Sequence, residues 1–230
     1  MAGSEVSVVL AHGAWADGSS WRKVIEALDS RGIATIAASL PLTSFADDVA
    51  ALERAAERAD GALVLAGHAY AGAVIGSIQN DRVRSLVYVA GLAPAEGETV
   101  ADVFQRATPH AQAPKLAPDS HGLIWLPSGA FGTAFAQDAT REERAWLSAV
   151  QRPISPACIG AAVGRPLWRD HPSWFLIAER DRMIVPETQR FMADRMKARV
   201  RAHPVDHTPI VTAPAVVAEL ILEAVRESTL

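Results

Sequence analysis

The chemistry open to this chain rests on its histidines, its carboxylates, one cysteine and the turns that would present them. There are 7 histidines and 1 cysteine among 230 residues. His110, His121, His171 and His203 lack the spacing that gathers ligands around a metal ion, so no metal site is expected. Cys158 has no partner for an internal disulfide, which fits a reducing compartment. Two other histidines stand just behind stretches that read as strands. His12 follows residues 6–11 and opens His12-Gly13-Ala14-Trp15, and His207 follows residues 199–205. Three carboxylates flank the same region of the chain, Glu179, Asp181 and Asp206. An imidazole whose Nδ1 is held by a carboxylate has a fixed tautomer and presents Nε2 as a general base or acid. The remaining stretch is Leu63-Val64-Leu65-Ala66-Gly67-His68-Ala69-Tyr70-Ala71-Gly72-Ala73-Val74-Ile75. A β-branched run, a pentad of mostly small residues and a small apolar segment describe a strand, a sharp turn and a helix.

Elements that could bring these residues together alternate along the chain. The near-continuous apolar run at 6–11 reads as a strand buried on both faces, and 33–38, 62–66, 86–90, 173–178 and 199–205 read as further strands. Between them, apolar residues at helical spacing mark helices over 21–30, over 70–79 and from Pro186 onward, with 214–226 closing the chain. Ser44 can cap a further helix whose stripe is Phe45, Val49, Leu52 and Ala56, with Asp47, Asp48, Glu53 and Glu57 outward. This alternation predicts an α/β fold, a parallel sheet with helices on both faces. Ligands of such sheets bind outside the carboxyl ends of the strands. The turns at His12, at Gly67, at Asp181 and at His207 all follow strand ends, so they should meet at one crevice. From Gly91 to Arg165 the alternation is lost. Residues 98–106 look helical, a proline-rich stretch follows, and 130–137 and 141–150 look like two short helices. Residues 107–164 are read as a cap insertion into a core formed by 1–106 and 165–230; a small second domain is the alternative.

With this context, Gly67-His68-Ala69-Tyr70-Ala71-Gly72 resembles the nucleophile elbow G-x-S-x-G of the α/β-hydrolase superfamily. The closest likeness is to its small bacterial esterase-like branch, whose elbow reads G-H-S-Y-G-G. The resemblance implies an α/β-hydrolase fold and a triad in the order nucleophile, acid, histidine. It places Ala69 at the nucleophile position, Asp181 as acid and His207 as base. It also implies an oxyanion hole built from the backbone N–H groups of Ala14, in the His12-Gly13 turn, and of Tyr70. His12 and His68 are read as structural.

Alanine cannot attack a carbonyl. The chain departs from the pattern at Ala71 as well, and an engineer disabling a serine hydrolase has no reason to alter that position. A natural serine-free elbow is therefore the leading reading. The alternatives are an esterase inactivated by replacement of its serine, and a binding protein without turnover. What survives is base or acid catalysis by His207 with an oxyanion hole that needs no serine. That suits proton abstraction beside a carbonyl, decarboxylation of a β-keto acid or attack by activated water; serine-free branches of the superfamily are known for the first two. Trp15, Trp125, Phe131, Phe135, Trp146 and Met183 are expected to line an apolar substrate pocket. Half the residues are apolar and the net charge is −4, with no basic run. Nucleic acid and membrane are therefore not expected partners, no cofactor is implied, and a small neutral or apolar substrate is. Lacking a signal-like start or a membrane-length apolar run, the chain reads as a soluble cytoplasmic protein, monomer or homodimer.

Overall fold

A computed structural model describes residues 5–229. Six strands form one sheet, all neighbours parallel. They are β1 Val6–Ala11, β2 Ala34–Ala38, β3 Ala62–His68, β4 Val83–Val89, β5 Ser173–Ala178 and β6 Arg199–His203, in spatial order β2-β1-β3-β4-β5-β6. β1 and β5 are buried along their whole length, as expected for β1 from its near-continuous apolar run. Helices α1 Arg22–Asp29, α2 Phe45–Glu57 and α3 Ala71–Ile75 connect the first four strands. Between β4 and β5 lie α4 Val100–Phe104, a π-helix Phe131–Phe135, α5 Arg141–Val150 and α6 Pro156–Ile159. After β5 come α7 Pro186–Met196, α8 Pro209–Thr212 and α9 Pro214–Ser228. α9 packs across β1, β3, β4 and β5, and α1 packs on α9.

The order of strands reverses direction between β1 and β3. That is the switch point at which open α/β sheets leave a crevice. The carboxyl ends of β1 and β3 deliver His12-Gly13-Ala14 and the Ala69 turn to it. β5 and β6 approach from one side with Asp181 and His207.

Several boundaries differ from the sequence expectation. β6 stops at His203 because Pro204 has no N–H to continue the ladder. α4 begins at Val100, since Thr99 caps it: its hydroxyl accepts from Asp102 N–H while the Asp102 carboxylate accepts from Thr99 N–H. The helix after the turn spans only Ala71–Ile75. The helix expected over 130–137 is a five-residue π-helix. In α2 Asp48, expected outward, is fully buried, and Val49 is only half-buried. Leu126, Phe131, Phe135 and Leu147 from the long insertion join the same buried core as the sheet. Among the described residues no helix is long and apolar enough to cross a membrane.

Candidate active site

The turn after β3 is built by close backbone approach. A Cβ on Gly67 would stand 2.7 Å from the Ala71 carbonyl oxygen, and one on Gly72 would stand 2.6 Å from that of Leu92. Only glycine fits at either place. Between them Ala69 takes φ 50°, the left-handed region that side chains rarely adopt. The strain is held by three hydrogen bonds. Ala69 N–H donates to Val89 O (3.1 Å), and Ala69 O accepts from Gly72 N–H (3.0 Å) and Leu92 N–H (2.9 Å). The Ala69 methyl is thereby raised into the crevice. Ala71 is buried and does not line it.

Asp181 and His207 meet there. His207 Nδ1–H donates to Asp181 Oδ2 at 2.8 Å, with both side chains buried. Asp181 accepts three further hydrogen bonds: Oδ1 takes Met183 N–H (2.7 Å) and Ile184 N–H (2.9 Å), and Oδ2 takes Gln189 Nε2 (2.8 Å). Four donors around one carboxyl leave it a single orientation. The Gln189 amide cannot flip, because its Oε1 accepts from Ala178 N–H (2.9 Å) and its Nε2 also donates to Ile184 O (2.6 Å). The rival carboxylates are engaged elsewhere. Glu179 pairs with Arg190. Asp206 accepts from Asp138 N–H, Thr208 N–H and Thr212 Oγ1, and burial raises its carboxyl above the ordinary range.

The other two histidines of the region are locked. His12 Nε2 accepts from Leu40 N–H (3.1 Å), so Nδ1 carries the proton and donates to Gly13 O (3.0 Å). Burial pushes its pKa down to about 4. His68 Nε2–H donates to the His207 carbonyl at 2.7 Å, and burial pushes its pKa down to about 3. Tyr70 donates its phenol to Asp48 Oδ2 at 2.6 Å, and Asp48 Oδ1 accepts from Leu42 N–H at 2.7 Å. Burial raises both the Asp48 carboxyl and the Tyr70 phenol, and lifts the Cys158 thiol beside them to about 12, leaving it an unreactive thiol.

A cavity of about 230 Å³ opens above this floor. Ala14, Ala69, Tyr70 and His207 all line it. Neither the Ala14 N–H nor the Tyr70 N–H donates a hydrogen bond among the described residues. Of the aromatic and thioether residues expected to line the cavity, Trp15 and Met183 do. The other four do not. Trp125 is 44% exposed, its indole N–H turned to Asp119. Trp146 lies by a separate surface cleft with Lys23 and Glu143. Phe131 is packed edge-on against Phe135 in the core. Phe135 sits behind the site, its ring 5.3 Å from that of His207 and 6.2 Å from that of Trp15. The walls instead come from Leu92, Phe104, Leu116, Ile124, Ile154 and Ile184, with Gln105 also on the lining. No Lys, Arg, Asp or Glu lines it. Among the described residues no cluster of His, Cys, Asp and Glu could hold a metal ion.

Gln189 and Asp48 were missed by sequence reasoning, and both carried a signal. Gln189 shares a helical stripe with Met192, Ala193 and Met196, and Asp48 one with Phe45, Leu52 and Ala55. A polar residue on the apolar stripe of a helix must find a buried partner.

A parallel sheet with a strained turn at its switch point, and an acid and a histidine delivered by the last two strands, is the frame of the α/β hydrolases. The chain belongs to the alpha/beta hydrolase family, whose model matches residues 8–220. No curated protein matches it by sequence. Among solved structures it is similar to a mutant of tomato methylketone synthase I, with TM-score 0.84 and 16% identity over 98% of this chain and 99% of that one. It is similar also to a pyrethroid hydrolase from Sphingobium faniae JZ-2, with TM-score 0.79 and 21% identity over 95% of this chain and 96% of that one. Polyneuridine aldehyde esterase gives TM-score 0.78 and 17% identity over 96% and 99%. At such identities the likeness speaks for the fold.

Proposed function

We propose that the protein is an enzyme acting on a small, apolar carbonyl compound or ester without a covalent acyl intermediate. His207 is the general base and acid, Asp181 orients it, and the N–H groups of Ala14 and Tyr70 form the oxyanion hole. The observation that carries this reading is the pairing of Asp181 and His207 at 2.8 Å beneath a cavity that also receives the Ala69 methyl. A protein that only bound an apolar ligand would gain nothing from a buried, four-fold-held carboxylate behind a histidine.

Reactions that pass through an enolate suit these groups best. In proton abstraction, Nε2 of His207 takes a proton from the carbon beside a carbonyl. The C–H electron pair becomes a C=C bond, and the negative charge gathers on oxygen between the two N–H donors. In loss of CO2 from a β-keto acid bound in its neutral form, Nε2 takes the carboxylic proton, the C–C pair makes the same enolate, and His207 returns that proton to carbon. The walls lack a cation, so an uncharged substrate enters at less desolvation cost than a carboxylate. Hydrolysis by water activated at Nε2 is the second reading, supported by the same base and the same donors. The family frame is shared by proteins named for synthase and for hydrolase activities, so the side chains at the crevice must decide.

The test offers the protein small ketones in D2O, β-keto acids and short activated esters, and follows C–H exchange, CO2 release and ester cleavage. Turnover of one class should fall about 10²–10⁴-fold in His207→Gln. Ala69→Ser should be labelled by a fluorophosphonate while the parent is not. Labelling of the parent at another residue, or turnover indifferent to His207, would overturn the proposal.

A further inference from the structure

His12 and His68 are both buried and unused by the proposed chemistry, but both ring nitrogens of His12 are partnered and only one of those of His68 is. His68 is fully buried, yet its Nδ1 has no hydrogen-bond partner. Its other nitrogen makes one short bond, 2.7 Å to the backbone oxygen of His207. A carbonyl only accepts, so the proton must sit on Nε2, and Nδ1 is left as a bare acceptor. Leaving a buried acceptor unpaired is costly, and a packing role alone would be met by a phenyl ring at no such cost.

The position of His68 explains what the bond does. It immediately precedes Ala69 and Tyr70, which carry the methyl in the crevice and one oxyanion donor. Its partner carbonyl belongs to the base itself. The base arrives on the loop after β6, the elbow on the end of β3, and these strands are separated in the sheet by β4 and β5. The ring of His207 is fixed by Asp181, but a side-chain bond does not by itself fix the backbone behind it. We infer that His68 is a positioning residue: its Nε2–H ties the backbone of His207 to the elbow and so sets the distance between the base and the oxyanion donors. The two imidazole rings lie with centroids 5.0 Å apart. Full burial keeps His68 neutral, so no second positive charge opposes the one that His207 takes up in turnover.

The inference rests on the proposed roles of His207 and of the elbow, so the experiment separates the two. His68→Gln keeps an amide donor near the place of Nε2, and His68→Phe keeps a ring without a donor. Both are made with and without Ala69→Ser. In the Ala69→Ser background the fluorophosphonate labelling rate reads the geometry between base and elbow. It should fall on the order of 10²-fold with His68→Phe, the loss expected from a displacement of about 1 Å, and stay close to Ala69→Ser alone with His68→Gln. Without Ala69→Ser, the downfield proton resonance of His207 Nδ1–H should broaden in His68→Phe and persist in His68→Gln. If Ala69→Ser is not labelled at all, the proposed function fails and the resonance alone decides the role of His68. A folded His68→Phe with unchanged labelling and resonance overturns the inference, and so does equal loss in both variants. Should His68→Phe not fold, the smaller His68→Leu carries the same comparison.

Discussion

The floor and the roof of the cavity are built by different physics. On the floor, each residue is held by hydrogen bonds that leave it one place to be. Ala69 is pinned at φ 50° by bonds to Val89, Gly72 and Leu92, and Asp181 accepts four donors. The roof is apolar contact. Leu116 reaches down from a largely exposed segment, and Phe104 remains 36% exposed on a helix of five residues. Hydrogen-bonded geometry suits groups that must meet a reacting atom within fractions of an ångström. Apolar contact suits the recognition of a chain or ring, where volume matters more than direction. The difference teaches where substitutions should abolish chemistry and where they should redirect it.

The sharpest break in that contrast is Asp181→Ala. The N–H groups of Met183 and Ile184, the Gln189 amide and the His207 imidazole would all lose their acceptor. Each buried unsatisfied group costs about 1–3 kcal/mol, so urea unfolding should show a loss above about 3 kcal/mol. A loss below about 1 kcal/mol would mean that the floor is not the rigid element described here.

The same contrast explains what the sequence disclosed. Five of the six strands, the elbow, and the places of Asp181 and His207 were legible because each is tied to a local pattern: an apolar run, a pair of glycines, a position just behind a strand. β6 is mixed in sequence and largely exposed, and was legible only by its place in the alternation. The roof was not. Its aromatics were expected to face the substrate, yet Phe131 and Phe135 fill the core, while Trp125 and Trp146 face away from the cavity. In an insertion without period, residue type does not say which side of the backbone faces the ligand. Ile124 lines the cavity and its neighbour Trp125 does not, a choice settled by the pairing of Ile124 with Ile154 across the insertion. Asp48 and Gln189 were hidden for the opposite reason, since a charged or amide side chain on a helix ordinarily reads as solvent-facing.

Acid should separate the two regions in a graded way. His12 and His68 belong to the floor, and burial lowers their pKa values to about 4 and about 3. The unfolded chain binds protons at these residues below about pH 6.5, while the folded chain does not until pH falls to those lower values. Stability is therefore lost as pH falls from about 6.5, on the order of 1 kcal/mol per histidine between pH 7 and 5.5. Asp48 and Asp206 act in the opposite sense, since their raised pKa values favour the fold as they protonate. The roof histidines His110 and His121 are exposed. Chemical denaturation across pH 5–7 should show the decline, and His12→Gln should make it shallower. A slope unchanged by His12→Gln would place the acid sensitivity elsewhere.

The smallest expected effect on stability falls on the roof, at Phe104. Its ring lines the cavity while more than a third of the residue is open to solvent, at the end of α4. Phe104→Ala removes little buried area, and a substitution at so exposed a place should change the unfolding free energy by about 0.5 kcal/mol or less. It should nonetheless enlarge the cavity at this wall. Substrates a methylene or two longer should then gain relative to short ones, each methylene being worth about 1–3 kcal/mol in an apolar pocket. The Asp181–His207 pair is untouched, so a reaction that still depends on His207 should continue. Ranking a homologous series by kcat/KM in parent and variant reads the shift directly. An unchanged ranking with unchanged stability would remove Phe104 from the substrate's path and leave Leu116 and Ile154 as the residues that set chain length. A large loss of stability would instead place Phe104 with the floor, among the residues on which the fold itself depends.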